Sequence, residues 1–244
     1  MDNEGGQHPE ARIFYKKALT LLKESGAEFM LGGAFAIFHY TGIYRDTKDL
    51  DIFCKPNAYP AILKFFNARG YRTEITDIRW IAKIFEGDYF IDIIFDTPSN
   101  ISRVDDSWLR HAVHAQILEE DILLVAPEEI IWCKIYIQNR YRFDGADINH
   151  ILLKSGERLD WKRLLSRLDQ HWHLLLSTLI MFQFVYPTDY QHIIPRWLFE
   201  ELLERARQQY ELPAAVRAVC LGPLIDQTQY RIDIEQWHYK ASIM

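Results

Sequence analysis

The chain has 244 residues, with 28 basic and 34 acidic side chains, a formal net charge of -6 and 49% hydrophobic residues. This excludes a disordered polymer and allows one large or two small domains with an ample core. The mildly acidic balance excludes a general nucleic-acid coat, while leaving room for a local basic patch that binds RNA or nucleotide. Three scattered cysteines, Cys54, Cys133 and Cys220, lack CxxC spacing, and no signal peptide is read, so a reducing cytoplasm is expected.

The first eight residues, MDNEGGQH, are polar and glycine-rich and read as disordered. From Pro9 to about Lys23, Phe14, Ala18, Leu21 and Leu22 recur at helical spacing, and Gly26 ends that helix. Glu28 to Leu31 reads as a short strand with a tight exit at Gly32-Gly33 and a helix from Ala34 to Tyr40. Leu50 to Cys54 is the next strand, and Asn57 is the expected cap of a helix that runs to Arg69 and stops at Gly70. Tyr71 to Ile75 is a strand candidate. Trp80 to Phe85 and Tyr89 to Phe95 form an expected hairpin across Glu86-Gly87-Asp88. Ile122 to Val125 reads as the last strand. Beyond Pro127, with its acidic first turn, only helices are expected, at about 128–142, 146–153, 160–171, 172–185 and 195–209. The apolar run from Leu174 is too short to span a bilayer, which takes ~20 residues, and reads as a buried helix. The layout is α+β: a mixed sheet with helices over 1–126, then a helical domain over 127–244.

The sheet half carries an electrostatic problem. In RDTKDLDIF, from Arg45 to Phe53, alternation puts Asp49 and Asp51 on one face of a strand and Leu50 and Ile52 on the other. Two carboxylates a pleat apart repel, and burial worsens the repulsion. A hard divalent cation with oxygen ligands offsets it. Asp92 interrupts the apolar strand YFIDIIF and adds a third acid. Read alone, each of these aspartates has a structural reading too; the pair with a strand-borne third acid is harder to explain that way. Gly32-Gly33, leaving a strand for a helix, would let backbone N–H groups approach phosphate oxygens, although by itself such a step is a tight turn.

Leu31-Gly32-Gly33, then Asp49-Leu50-Asp51, then Asp92 resemble the signature of the DNA polymerase beta-like nucleotidyltransferase superfamily. Arg45, Thr47 and Lys48 fit the Arg-x-Thr-Lys-Asp-x-Asp run of its small stand-alone bacterial branch. The interval from Gly33 to Asp49 is longer than usual, so the helix or loop between them is extended. The resemblance covers residues 28–96, with only a general likeness in the helical half. It implies an α+β polymerase-beta-like domain followed by a helical domain. It also implies nucleotidyl transfer from an NTP, ATP among them, with two Mg2+ ions held by Asp49, Asp51 and Asp92 and with Asp92 as base. The acceptor is open: a tRNA end, a protein hydroxyl or a small molecule such as an aminoglycoside-type antibiotic. The alternative is a catalytically silent module that regulates a partner protein, such as one half of a toxin-antitoxin pair.

Gly32, Gly33, Arg45, Lys48 and Lys134 are the candidate nucleotide contacts. Arg45 and Lys48 are equally readable as solvated loop charges, and Lys134 interrupts an apolar helical run, where it either snorkels or faces a cleft. Lys83, in the hairpin strand beside that of Asp92, could reach the nucleotide but reads first as a surface strand lysine. Asp144 and Asp147 read as a helix cap and a partner for an arginine. His111 with His114, and His171 with His173, lack a third ligand at a zinc spacing. The seven tryptophans read as core, and Lys154, Arg158, Lys162, Arg163 and Arg167 read as a solvated face and the best RNA-contact candidates.

Overall fold

The computed structural model describes residues 9–213 and 217–241; Met1 to His8, expected to be disordered, lie outside them. The contacts divide the chain into one unit ending at Glu129 and a second starting at Ile130.

The first unit runs α1 (Pro9–Glu24), β1 (Met30–Leu31), α2 (Gly33–Thr41), β2 (Asp49–Phe53), α3 (Tyr59–Asn67), β3 (Arg72–Asp77), β4 (Ile81–Glu86), β5 (Tyr89–Ile94), α4 (Asp106–His111), β6 (Val113–Ile117) and β7 (Glu120–Leu124). Its strands form one mixed sheet in the order β3-β4-β5-β2-β1-β7-β6. At its centre β2 runs parallel to β5 and antiparallel to β1. Alternation sorts the residues as the sequence indicates. Leu50, Ile52, Ile91 and Ile93 are fully buried on one face, in a cluster with Phe14, Tyr15, Leu19 and Leu22 of α1 and Ile62 and Phe66 of α3. The opposite face carries Asp49, Asp51 and Asp92.

Several elements differ from their expected form. Ala58, not Asn57, occupies the cap position of α3, which starts without a side-chain cap and with Pro60 in its first turn. Two elements are additional. Helix α4 is capped by Asp105, whose carboxylate accepts from the amides of Ser107 and Trp108. Strand β6 forms a hairpin with β7.

The second unit is mostly helical. Helix α5 (Pro127–Lys134) straddles the division and is followed by α6 (Gly145–Ser155), α7 (Trp161–Leu168), α8 (Trp172–Val185), α9 (Tyr190–Ile193), α10 (Arg196–Glu211) and α11 (Arg231–Glu235). Helix α5 stops well short of residue 142; farther on, Asn139 Oδ1 accepts from the amides of Tyr141 and Arg142 and folds that stretch into a turn. Asp144 sits at the N-cap position of α6 without capping it. Two short strands that no pattern announced, β8 (Val219–Cys220) and β9 (Lys240–Ala241), pair in parallel. Helix α8 is buried along one stripe only, Leu175, Leu179 and Phe182, while Ile180, Met181 and Phe184 are exposed. Trp108, Trp132 and Trp161 are core residues, whereas Trp197 and Trp237 are exposed. No helix among the described residues is long and apolar enough to cross a membrane.

Candidate active site

The site is built on the two central parallel strands. Asp51 of β2 is the direct register partner of Asp92 of β5, and Asp49 lies one pleat along on the same face. One oxygen from each of Asp49, Asp51 and Asp92 lies within 4.8 Å of the other two. Among the described residues this is the one cluster of three side chains able to ligate a metal. Three carboxylates at that spacing suit a hard divalent cation that takes oxygen ligands. They do not suit a thiolate or imidazole site.

The glycine step joins the cluster by contact. Gly32 follows β1 and donates its amide to the Asp51 carbonyl at 2.9 Å. Gly33 opens α2 with φ +54, and a Cβ placed there would lie 1.7 Å from Asp51 Oδ2. Only a residue without a side chain lets the start of the helix sit against this carboxylate. No side chain caps α2.

The loop before β2 is fixed from the other side of the sheet. The buried Tyr15 hydroxyl of α1 donates to the Thr47 carbonyl at 2.8 Å, and the Thr47 hydroxyl donates to Asp49 Oδ1. Burial, then the Asp49 charge, hold the Tyr15 phenol well above its ordinary pKa, so it stays a donor. Thr47 and Arg45 also line a cavity of about 150 Å3 with Phe35, Phe38 and Tyr44. The Lys48 side chain is exposed, and its carbonyl accepts from the Phe90 amide at 3.3 Å.

Asp92 is 8% exposed. Burial pushes its carboxyl above the usual range, the Lys83 ammonium draws it back, and the Asp49 charge raises it again, for a net rise. Lys83 is the residue that strand patterning misplaces. Rather than a solvated surface lysine, it is 23% exposed and donates to Asp92 Oδ1 at 2.6 Å.

Lys134 belongs to the second unit. There it is ion-paired with Asp144, and with Asp147 at 2.8 Å; all three side chains are buried or nearly so. Asp144 also accepts from Arg142 Nε at 2.8 Å. Asp144 is therefore an ion-pair partner of both Arg142 and Lys134.

A mixed sheet with three acids on its central strands and a glycine step packed against one of them defines a polymerase beta-like nucleotidyltransferase. Residues 12–168 match the family described as "Nucleotidyl transferase of unknown function (DUF2204)", and the chain belongs to that family. Similar solved structures include the lincosamide antibiotic adenylyltransferase LnuA bound to lincomycin, at 17% identity and TM-score 0.42 over 60% of this chain and 98% of that one. The antibiotic-resistance factor ANT(2'')-Ia gives 16% identity and TM-score 0.40, over 82% and 92% of the two chains. JHP933 from Helicobacter pylori gives 14% identity and TM-score 0.42, over 84% and 98%. No curated protein matches the sequence.

Proposed function

We propose that this nucleotidyltransferase transfers a nucleoside monophosphate from an NTP, ATP among the candidates, to an acceptor hydroxyl, with Asp49, Asp51 and Asp92 holding two Mg2+ ions. The observation that carries this reading is the convergence of three carboxylate oxygens within 4.8 Å. Bound Mg2+ would supply Lewis-acid stabilisation of the nucleophile and of the pyrophosphate leaving group.

The remaining roles belong to the chain itself. Asp49 and Asp51 project together from β2 as the paired ligands, with Asp49 oriented by the Thr47 hydroxyl. Asp92, the buried third acid on β5, takes the proton of the acceptor hydroxyl. The uncapped start of α2 presents its first-turn amides to triphosphate oxygens, where the helix dipole favours negative charge. Arg45 and Lys48, in the loop entering β2, add positive charge for the same phosphates. The acceptor is a hydroxyl of RNA, protein or a small molecule. A cytoplasmic location fits the three free thiols. The complete acid set speaks against a silent regulatory module.

The test is the Asp49→Asn, Asp51→Asn double variant, which keeps shape and removes charge. It is expected to fold and to lose both Mg2+-dependent thermal stabilisation by NTP and transfer of label from α-labelled NTP to cell extract. Undiminished transfer by the double variant would sink the reading.

A further inference from the structure

The three acids share their face with a cation of the protein's own. Lys83 of β4 is the register partner of Asp92 across the β4–β5 hairpin. Its Nζ donates to Asp92 Oδ1 at 2.6 Å and lies 4.1 Å from the centroid of the Phe90 ring. Phe90 is in turn the register partner of Asp49. The ammonium is thus held between a carboxylate and an aromatic face, two contacts that both favour a cation.

Three carboxylates this close to one another need a countercharge whether or not a metal is bound. An ammonium on Asp92 engages one of its two oxygens and cancels part of the field that draws a divalent ion. We infer that Lys83 is the resident countercation of the triad: it positions Asp92 in the metal-free protein and competes with divalent cations for the cluster. This rests on the metal-binding reading above. It makes Lys83 a positioning residue with two opposed effects, stabilising the empty site and weakening metal uptake.

The experiment measures Mn2+ affinity without nucleotide, by loss of the free-ion electron paramagnetic resonance signal, alongside thermal melting with and without Mn2+. The proteins compared are the wild type, Lys83→Met, Lys83→Gln, Lys83→Arg and the Asp49→Asn, Asp51→Asn double variant. Neutralising Lys83 is expected to tighten Mn2+ binding on the order of tenfold, because it removes a like charge beside the cation's site. It is also expected to lower the metal-free melting temperature, with the deficit closing as Mn2+ is added. Lys83→Arg keeps the charge and should stay close to wild type in both. A lysine of merely structural importance would lower stability without tightening metal binding. Equal or weaker Mn2+ binding by both neutral variants, with the wild type binding and the double variant not, overturns the inference and leaves the metal reading intact. A wild type that fails to bind Mn2+ overturns both. Should neither neutral variant fold without metal, both are refolded in Mn2+: recovery of folding, with Mn2+ taking the place of the ammonium, supports the countercation, and failure to fold at saturating Mn2+ overturns it.

Discussion

Replacing Gly33 with alanine tests the link between the glycine step and the carboxylates with one methyl group. The new Cβ would lie 1.7 Å from Asp51 Oδ2, 2.6 Å from Cγ and 2.9 Å from Cβ, where real Cβ atoms keep at least 3.0 Å. Rotating the Asp51 side chain relieves the first two contacts. The third is set by backbone, so the start of α2 must also lift from β2, straining the 2.9 Å bond from the Gly32 amide to the Asp51 carbonyl. The oxygen itself must retreat by roughly 1.3 Å, and a displacement of about 1 Å in a catalytic group can cost ~100-fold in rate. The backbone adds a separate cost, because φ +54 disfavours alanine by roughly 1–2 kcal/mol. Gly42 isolates that cost: it has φ +73, and an added Cβ meets nothing within 4 Å. Gly33→Ala should therefore weaken Mn2+ binding, and should lower any measured transfer by about two orders of magnitude. Gly42→Ala should lose comparable stability and keep metal affinity. Melting curves followed by circular dichroism and Mn2+ titration separate the two effects. Wild-type Mn2+ affinity in Gly33→Ala, or an equal loss in Gly42→Ala, refutes the reasoning.

Two further predictions concern the second unit. Lys134→Met takes their shared ammonium from Asp147 and from Asp144, which keeps Arg142; a buried charge left wholly uncompensated costs about 3–5 kcal/mol, so the loss should lie at or below the lower end of that range. Urea denaturation should show that loss, and Asp147→Asn added to Lys134→Met should recover part of it; a fully stable Lys134→Met with weakened NTP binding would instead make Lys134 a nucleotide contact. His171 is buried with its Nδ1 2.7 Å from the Tyr136 hydroxyl. Burial, then the neighbouring His173, hold its pKa below the ordinary imidazole value. Because the folded pKa is the lower one, stability is fully present above the unfolded value of about 6.5 and is lost as pH falls below it toward the folded value. The urea midpoint should therefore drop between pH 7.5 and pH 5.5, and less so in His171→Asn; a pH-independent midpoint in the wild type contradicts this.

What was legible in the sequence was whatever one strand or helix declares by its own period. Alternation in DLDIF separates Asp49 and Asp51 from Leu50 and Ile52, and the structure keeps that separation. The β6–β7 hairpin escaped notice for a physical reason. Its turn places Leu118 and Glu119 at φ +53 and +67, a conformation usually announced by glycine or asparagine, and neither is present. Strand β6 is also short of large apolar residues, since it buries little of either face. The early end of α5 was hidden by residues 135–138, which continue a helical pattern until the Asn139 side chain captures the next turn. Local propensity cannot rank those two outcomes.

The two lysines separate what pattern can decide from what pairing decides. Lys134 stands out because it interrupts an apolar helix, and its ion-pair partners Asp144 and Asp147 come alongside it only in the folded chain. Lys83 looked ordinary because strands often carry surface lysines. Its partner is decided by the register of the hairpin. The expected connection, Glu86-Gly87-Asp88, pairs Phe85 with Tyr89 and sets Lys83 opposite Ile91, whereas the structure turns at Gly87-Asp88 and pairs Glu86 with Tyr89. Counting three residues outward on each strand arrives at Lys83 opposite Asp92. A cation opposite the third acid of a suspected metal site is a different observation from a lysine in a strand. It follows from the register that the fold adopts, and it adds a fixed ammonium to the charge balance of the three carboxylates.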